Sequence, residues 1–392
     1  MPSSRFLFLN VGHSIDHLFM LMFPAVAALA AADLSASYGE VLKLATGSFI
    51  AFGVFSLPMG WLADRLSREL MMTVFFFGIG VAMILTGFSK EEWQIFVSLI
   101  LVGMFAAIYH PVGLAMVSHG GGDVGRRLGV NGVWGNMGVA ASALSVGLFA
   151  DFAGWREAFL LVGTISIIIG LGWIRITRRA LEGGGVSKKK LNEPALNWRR
   201  VLLIVAITTT IGGFIFNSMT VSLPKVLNDR LADFAMSATE VGAIASFVYA
   251  SAAFTQILVG RAIDKYSIKP IFLFLVAGQA VTLYFAIMAD GWSMVAIGIL
   301  VMVMVFGQIP INDTLIARYT PDEWRGRVYS VKYVLSFTVS AAAVPSIAWL
   351  YEDTGGFSTM FTLAAIAACI ITVTVAFMPG GRPSSSKLQA TE

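Results

Sequence analysis

Twelve stretches of this 392-residue chain are apolar for roughly twenty residues or more, enough for a helix rising about 1.5 Å per residue to cross a hydrocarbon core about 30 Å thick. They fall near residues 6–31, 40–63, 70–88, 93–118, 128–151, 155–176, 199–227, 238–262, 269–288, 292–317, 327–350 and 358–378, divided by breaks rich in Gly, Pro, Ser and charge. Inside lipid a backbone must satisfy its own hydrogen bonds, so each stretch is expected to be a helix and the chain an all-α membrane protein. Composition agrees: 57% of residues are hydrophobic, only 13% are charged, and the mean hydropathy is +0.79, which excludes an ordinary soluble domain pair. The first stretch contains ionisable residues and no small-residue cleavage site, so it is expected to stay as a span.

An even number of spans puts both ends of the chain on one side, and the basic residues then name that side. Loops on the side of the termini carry 21 Lys and Arg against 5 on the other, with Lys332 placed inside a span, so both termini are expected to be cytoplasmic and the protein to sit in the inner membrane. The same distribution accounts for a pI near 9.2 without nucleic acid, since no loop gathers the charge into a patch. The single cysteine, Cys369, lies in the last apolar run, which excludes an intramolecular disulfide and a thiolate metal cluster. Neither a nucleotide-binding loop nor a G-x-S-x-G or H-E-x-x-H frame occurs, so an ATP-driven pump and a membrane hydrolase are both disfavoured.

The longest connection, residues 177–198, contains Gly183-Gly184-Gly185 and then Lys188-Lys189-Lys190, a flexible basic linker. It divides the chain into a six-helix bundle at 1–176 and a second at 199–392. The halves match at an offset of 200: Pro24 with Pro224, Gly60 with Gly260, Asp64 with Asp264, Arg65 with Lys265. All matches keep the same orientation, which indicates a parallel duplication with a ligand site expected between the repeats.

The first span carries His13, Asp16 and His17, which helical spacing puts on one face. Asp16 and His17 lie roughly 15 Å or more in from Arg5, close to mid-bilayer, with a bend expected at Pro24. Ionisable groups at that depth are costly and mark functional sites.

After the second span comes Gly60-Trp61-Leu62-Ala63-Asp64-Arg65-Leu66-Ser67-Arg68, and after the eighth comes Gly260-Arg261-Ala262-Ile263-Asp264-Lys265-Tyr266-Ser267. These resemble the cytoplasmic loop signature of the major facilitator superfamily, with Ser67 and Ser267 standing where a glycine is usual. The resemblance implies twelve helices in two bundles working by alternating access. In that scheme the glycines allow close helix approach and the carboxylates cap a helix or bind arginine. Gly60, Asp64, Arg65, Arg68, Gly260, Asp264 and Lys265 would then form a conformational latch that does not touch substrate.

A narrower resemblance, to the bacterial branch around fosmidomycin-resistance transporters, rests on His13 with Asp16, on Tyr109-His110-Pro111 and on Gly135-Asn136-Met137-Gly138; Val112 replaces the glutamate that often follows His-Pro. Helices 1, 4, 7 and 10 line the central cavity in the superfamily. The resemblance therefore implies that His13, Asp16, His17, His110 and Asn136 face Asn217, Gln308, Asn312 and Asp313, with Lys332 a partner for Asp313 or a snorkelling residue. Three readings of the histidines compete: a packing network, a proton-handling site in which Asp16 exchanges protons and the imidazoles relay them or bind substrate, and a transition-metal site of His13, Asp16, His17 and His110. The leading expectation is a proton-coupled exporter of a small amphipathic molecule, the alternative a carrier of a divalent metal or metal complex. Expected partners are substrate, protons and the bilayer, with a monomer as the unit and no cofactor.

Overall fold

The computed structural model describes residues 3–118, 124–178, 198–320 and 322–379. Among the described residues twelve helices are long and apolar enough to cross a membrane, as the sequence predicts: α1 (Ser4–Leu34), α2 (Tyr38–Ala63), α3 (Arg68–Phe88), α4 (Glu92–Ser118), α5 (Arg126–Phe152), α6 (Trp155–Thr177), α7 (Trp198–Arg230), α8 (Ala238–Lys265), α9 (Ile268–Ala286), α10 (Gly291–Ile316), α11 (Val334–Thr354) and α12 (Ser358–Ala376). Most of the linker, 179–197, lies outside the described residues.

The helix that contains α11 runs from Asp322 to Thr354 and includes Lys332. Some spans are two helices end to end: α2 is divided at Ala45 and α8 at Phe254. The interruption is wider in α4, which is made of Glu92–Ala106 and Tyr109–Ser118 with a break at Ala107 and Ile108. Pro111 explains the break: it has no N–H to offer the Ala107 carbonyl, and its ring crowds that carbonyl. By contrast α1 continues through Pro24 and α7 through Pro224.

Helix pairing follows the small residues. A Cβ on Gly138 of α5 would lie 2.1 Å from the Ser14 carbonyl oxygen of α1, and one on Gly103 of α4 would lie 1.9 Å from that of Ser48 in α2. These backbones touch, as expected where dispersion and close approach replace a hydrophobic driving force.

The two halves meet at the end of the bundle opposite the termini. Tyr38 at the start of α2 packs edge-on against Tyr351 at the end of α11, ring centroids 4.9 Å apart, and the Gly39 N–H donates to Glu352 Oε1 at 2.6 Å. Lys225 of α7 is ion-paired with Asp229 and lies 5.6 Å and 5.3 Å from the centroids of Tyr38 and Tyr351. Beside them α5 and α8 are in backbone contact, with the Gly242 Cβ position 2.5 Å from the Ala143 oxygen, and the Thr239 N–H donates to Asp151 at 2.8 Å. Toward the other end these two helices part: among the described residues a Cβ on Gly132 would meet only Gln256, at 3.6 Å, and one on Gly129 or Gly260 would have no neighbour within 4 Å. The molecule is closed at one end and opens toward the end that carries its termini.

Because Lys225 links three aromatic and acidic groups from both halves, Lys225→Met should loosen the closed end. In a Cys369→Ala background, a cysteine at Ala28, which lines the seam between the halves, should then react with a maleimide several-fold faster. An unchanged rate would mean that the aromatic contacts alone keep the end shut.

The repeated loop motif takes an asymmetric form. Asp264 accepts from Arg318 Nη2 at 3.0 Å, and Arg318 Nη1 donates to the Ile263 carbonyl at 3.2 Å, tying α8 to the last turn of the helix that contains α10. In the first copy the Arg65 guanidinium stacks 3.6 Å over Trp61, a Cβ on Gly60 would lie 3.3 Å from Pro111 Cβ, Arg68 opens α3, and the Asp64 side chain lies outside the described residues. Ser67 N-caps α3, its hydroxyl accepting from the Leu70 N–H at 3.1 Å, which gives the serine in the usual glycine's place a role of its own. In the second copy Lys265 closes α8, and the Asp264 contacts support the latch reading. Asp264 is 74% exposed, so its ion pair contributes little to stability. Asp264→Asn is therefore expected to leave the melting temperature within about a degree and to change the rate of interconversion between conformations several-fold. Ligand affinity falling while those rates hold would show that the pair is misread.

Candidate functional site

The break in α4 delivers His110 to α1, and the glycines of α5 let α1 lie close enough for its histidines to reach the α5 backbone. His13 is buried, its Nδ1 2.8 Å from the carbonyl oxygen of Asn131. A helical carbonyl can only accept, so His13 donates from Nδ1 and a neutral ring presents Nε2 as a lone pair. That Nε2 lies 3.2 Å from His17 Nε2, which supplies the proton for the bond between them and leaves His17 Nδ1 as an open acceptor. Gly135 is required beneath the ring, since a Cβ there would stand 2.7 Å from His13 Cε1.

Asp16, 1% exposed, points from the same helix toward α4, with Oδ2 3.3 Å from His110 Nε2; its Oδ1 has no hydrogen-bond partner among the described residues. His110 is 18% exposed and its ring stands at right angles to both His13 and His17, at centroid distances of 5.4 Å and 5.5 Å. Four of the five predicted residues of the first half, His13, Asp16, His17 and His110, therefore form one cluster between α1 and α4, seated on the α5 backbone through the Asn131 carbonyl.

Sequence reasoning passed over the residues that hold the cluster. Tyr109 stacks on His13 at 4.8 Å, donates its hydroxyl to the Leu9 carbonyl at 2.7 Å and accepts from Asn131 Nδ2 at 2.9 Å. Asn131 Nδ2 also lies 2.9 Å from Asn10 Oδ1. The signal was present: Asn10 is three residues before His13 on the same face, and Asn131 is a buried amide in a glycine-rich helix. Phe52 of α2 closes the edge of the site, 5.8 Å from His110.

The other predicted residues do not reach the histidines. Asn136 is buried in α5, and no bond ties it to them among the described residues. Asn217 donates to the Gly213 carbonyl of its own helix at 2.8 Å. Gln308 accepts from Gln279 at 3.0 Å and donates to the Thr208 carbonyl at 3.2 Å, while Asn312 accepts from the Thr208 hydroxyl at 3.0 Å. These two fasten α10 to α7 and α9 within the second half, and Gln279 and Thr208 went unnoticed because each is a lone polar residue in an apolar run. Asp313 is ion-paired with Lys332. Of the predicted residues of the second half, Asn217, Gln308 and Asn312 are thus engaged in packing bonds and Asp313 with Lys332 in an ion pair near the open end.

The sequence profile of the Major Facilitator Superfamily matches residues 11–232 and 229–392, that is, both halves. The chain belongs to this superfamily. Among its members it is similar to the multidrug resistance protein MdtG of Escherichia fergusonii, 22% identical over 333 residues that cover 83% of this chain and 80% of that protein. It is 28% identical over 157 residues to the puromycin resistance protein pur8 of Streptomyces alboniger, covering 39% of this chain and 31% of that protein. Over 172 residues it is 26% identical to a probable L-galactonate transporter of Escherichia coli, covering 43% and 38%. The chain thus spans less than half the length of the first curated relatives it matches. In structure it resembles a bacterial homologue of the human lysosomal transporter Spinster in an inward-facing, occupied conformation, with a TM-score of 0.71, 14% identity and coverage of 96% and 94%. That likeness shows the fold, and the twelve helices agree with the major facilitator architecture that the sequence analysis expects.

Proposed function

We propose that this superfamily member is a proton-coupled secondary transporter that exports a small amphipathic compound, with both termini in the cytoplasm. The observation that carries the proton coupling is Asp16: a carboxylate 1% exposed, near mid-membrane, bridged to His110 on another helix and with one oxygen unpartnered. A carboxylate so placed either holds a proton or finds a cation, and alternating access exposes it to one side at a time. The imidazoles beside it give the proton a path by exchange of tautomers between His13 and His17.

Export is supported by the resistance proteins among the relatives, and amphipathic cargo by a site that joins imidazoles to Phe52 and Tyr109. Among the described residues no arginine takes part in the contacts of the cluster, which weighs against a strongly anionic substrate. The excess of basic residues on the loops of the termini side supports a cytoplasmic placement, and the parting of α5 and α8 toward that side then corresponds to an inward-open state. The contacts of His13, His110 and Gly135 also support the narrower resemblance to the fosmidomycin-resistance branch.

Purified protein in liposomes should concentrate an amphipathic probe such as puromycin when a proton gradient is imposed, and release it when a protonophore collapses the gradient. Accumulation indifferent to the protonophore would contradict proton coupling; absence of any saturable flux would contradict transport of this class of compound.

A further inference from the structure

We propose that His13, His17 and His110 form a three-imidazole site for one divalent first-row transition-metal ion, taken either free or as the head of a chelated organic compound. The proposal rests on the reading of this cluster as the transport site and names the ligand chemistry it would accept. Metal names do not recur among the relatives described above, so the geometry alone carries it.

One ring nitrogen from each of the three histidines lies within 4.8 Å of the others. The His13 and His17 Nε2 atoms are 3.2 Å apart, close to the ~3.3 Å edge of a tetrahedron with metal–nitrogen bonds of about 2.0–2.1 Å, and ligation would require His17 to carry its proton on Nδ1 instead of Nε2. His110, on a different helix, is the ring that has to turn inward, and its partial exposure leaves it room to do so.

Two of the three rings already have the outer partners that metal-bound histidines use. His13 donates Nδ1–H to the Asn131 carbonyl, which aims Nε2 at the centre; His110 faces the Asp16 carboxylate, which leaves its other ring nitrogen as the ligand. The Asp16 charge, buried and half-partnered, would balance part of the ion's charge. A fourth coordination position remains for a water or for a donor atom of the cargo, on the side where His17 and His110 are only partly buried. Imidazole ligands without a thiolate suit zinc, cobalt, nickel or copper rather than magnesium or calcium.

The test uses tag-free, full-length protein freed of chelator at a pH where histidine is neutral. Titration with ZnCl2 in a calorimeter should show one equivalent bound, and CoCl2 should give the visible absorption of a four-coordinate nitrogen site. His17→Ala and His110→Ala should each weaken binding at least 100-fold while retaining a monodisperse gel-filtration peak, and Asp313→Asn should leave it within a few-fold. If either histidine variant does not fold, displacement of Co²⁺ from the wild-type protein by diethylpyrocarbonate modification, with protection by ZnCl2, makes the same measurement. Adding 8-hydroxyquinoline to the Co²⁺ form separates the two sources. A shifted spectrum with cobalt still on the protein assigns the chelated form, and loss of cobalt to the chelator assigns the free ion. No heat with zinc and no cobalt spectrum would overturn the proposal while leaving the protonophore test of transport untouched, so the two readings fail separately.

Discussion

Asp16→Asn should abolish accumulation of an amphipathic probe driven by an imposed proton gradient, while exchange of labelled for unlabelled probe continues at close to the wild-type rate. Asparagine keeps the shape and an acceptor oxygen for His110 but cannot gain or lose a proton, so coupling is lost and the conformational cycle is not. The size of the effect follows from the absence of a substitute: Asp313, the other acid placed near the cavity, is held in an ion pair with Lys332 close to the open end. Full gradient-driven accumulation by Asp16→Asn would move the coupling site to Asp313.

The second large effect concerns the seam between α1 and α5. Gly138→Ala would place a methyl group 2.1 Å from the Ser14 carbonyl oxygen. The clash falls on backbone, which cannot rotate aside, and the same seam carries the bonds from Ser14 to the Trp134 carbonyl and from His13 to the Asn131 carbonyl. Overpacking of this kind costs about 1–3 kcal/mol, and here the helix must move away from the residues that orient His13. The variant should melt several degrees lower and transport at less than a tenth of the wild-type rate. Gly129→Ala is the control, because nothing lies within 4 Å of its Cβ position in this state; alanine's helix propensity should leave its stability unchanged or slightly raised. Equal melting temperatures for the two variants would contradict the packing described here.

Much of this was legible in the sequence because the membrane simplifies the problem. Apolar length names the spans. The spacing of His13, Asp16 and His17 requires a common helical face. That His110 joins them was indicated by the family motif and is realised through a helix break whose cause, Pro111, is visible in the sequence. What could not be read was partnership across helices. Gln308 and Asn312 look like cavity residues in a list, yet Gln279 and Thr208, remote in sequence, turn them into packing bonds. Lys332, open in the sequence to either pairing with Asp313 or snorkelling, is the ion-pair partner of Asp313. The serine of the loop motif likewise revealed its capping role only once α3 had a start.

The central claim, that protonation of the Asp16 cluster drives alternation between two conformations, is tested most directly without knowing the substrate. Spin labels at Leu66 and Tyr266, exposed residues that follow α2 and α8 at the open end, would report its opening by electron–electron distance measurement in a Cys369→Ala background. The account predicts that changing pH redistributes the wild-type protein between a long and a short distance, and that Asp16→Asn holds one distribution across the same pH range. A pH response in Asp16→Asn equal to that of the wild type would contradict it.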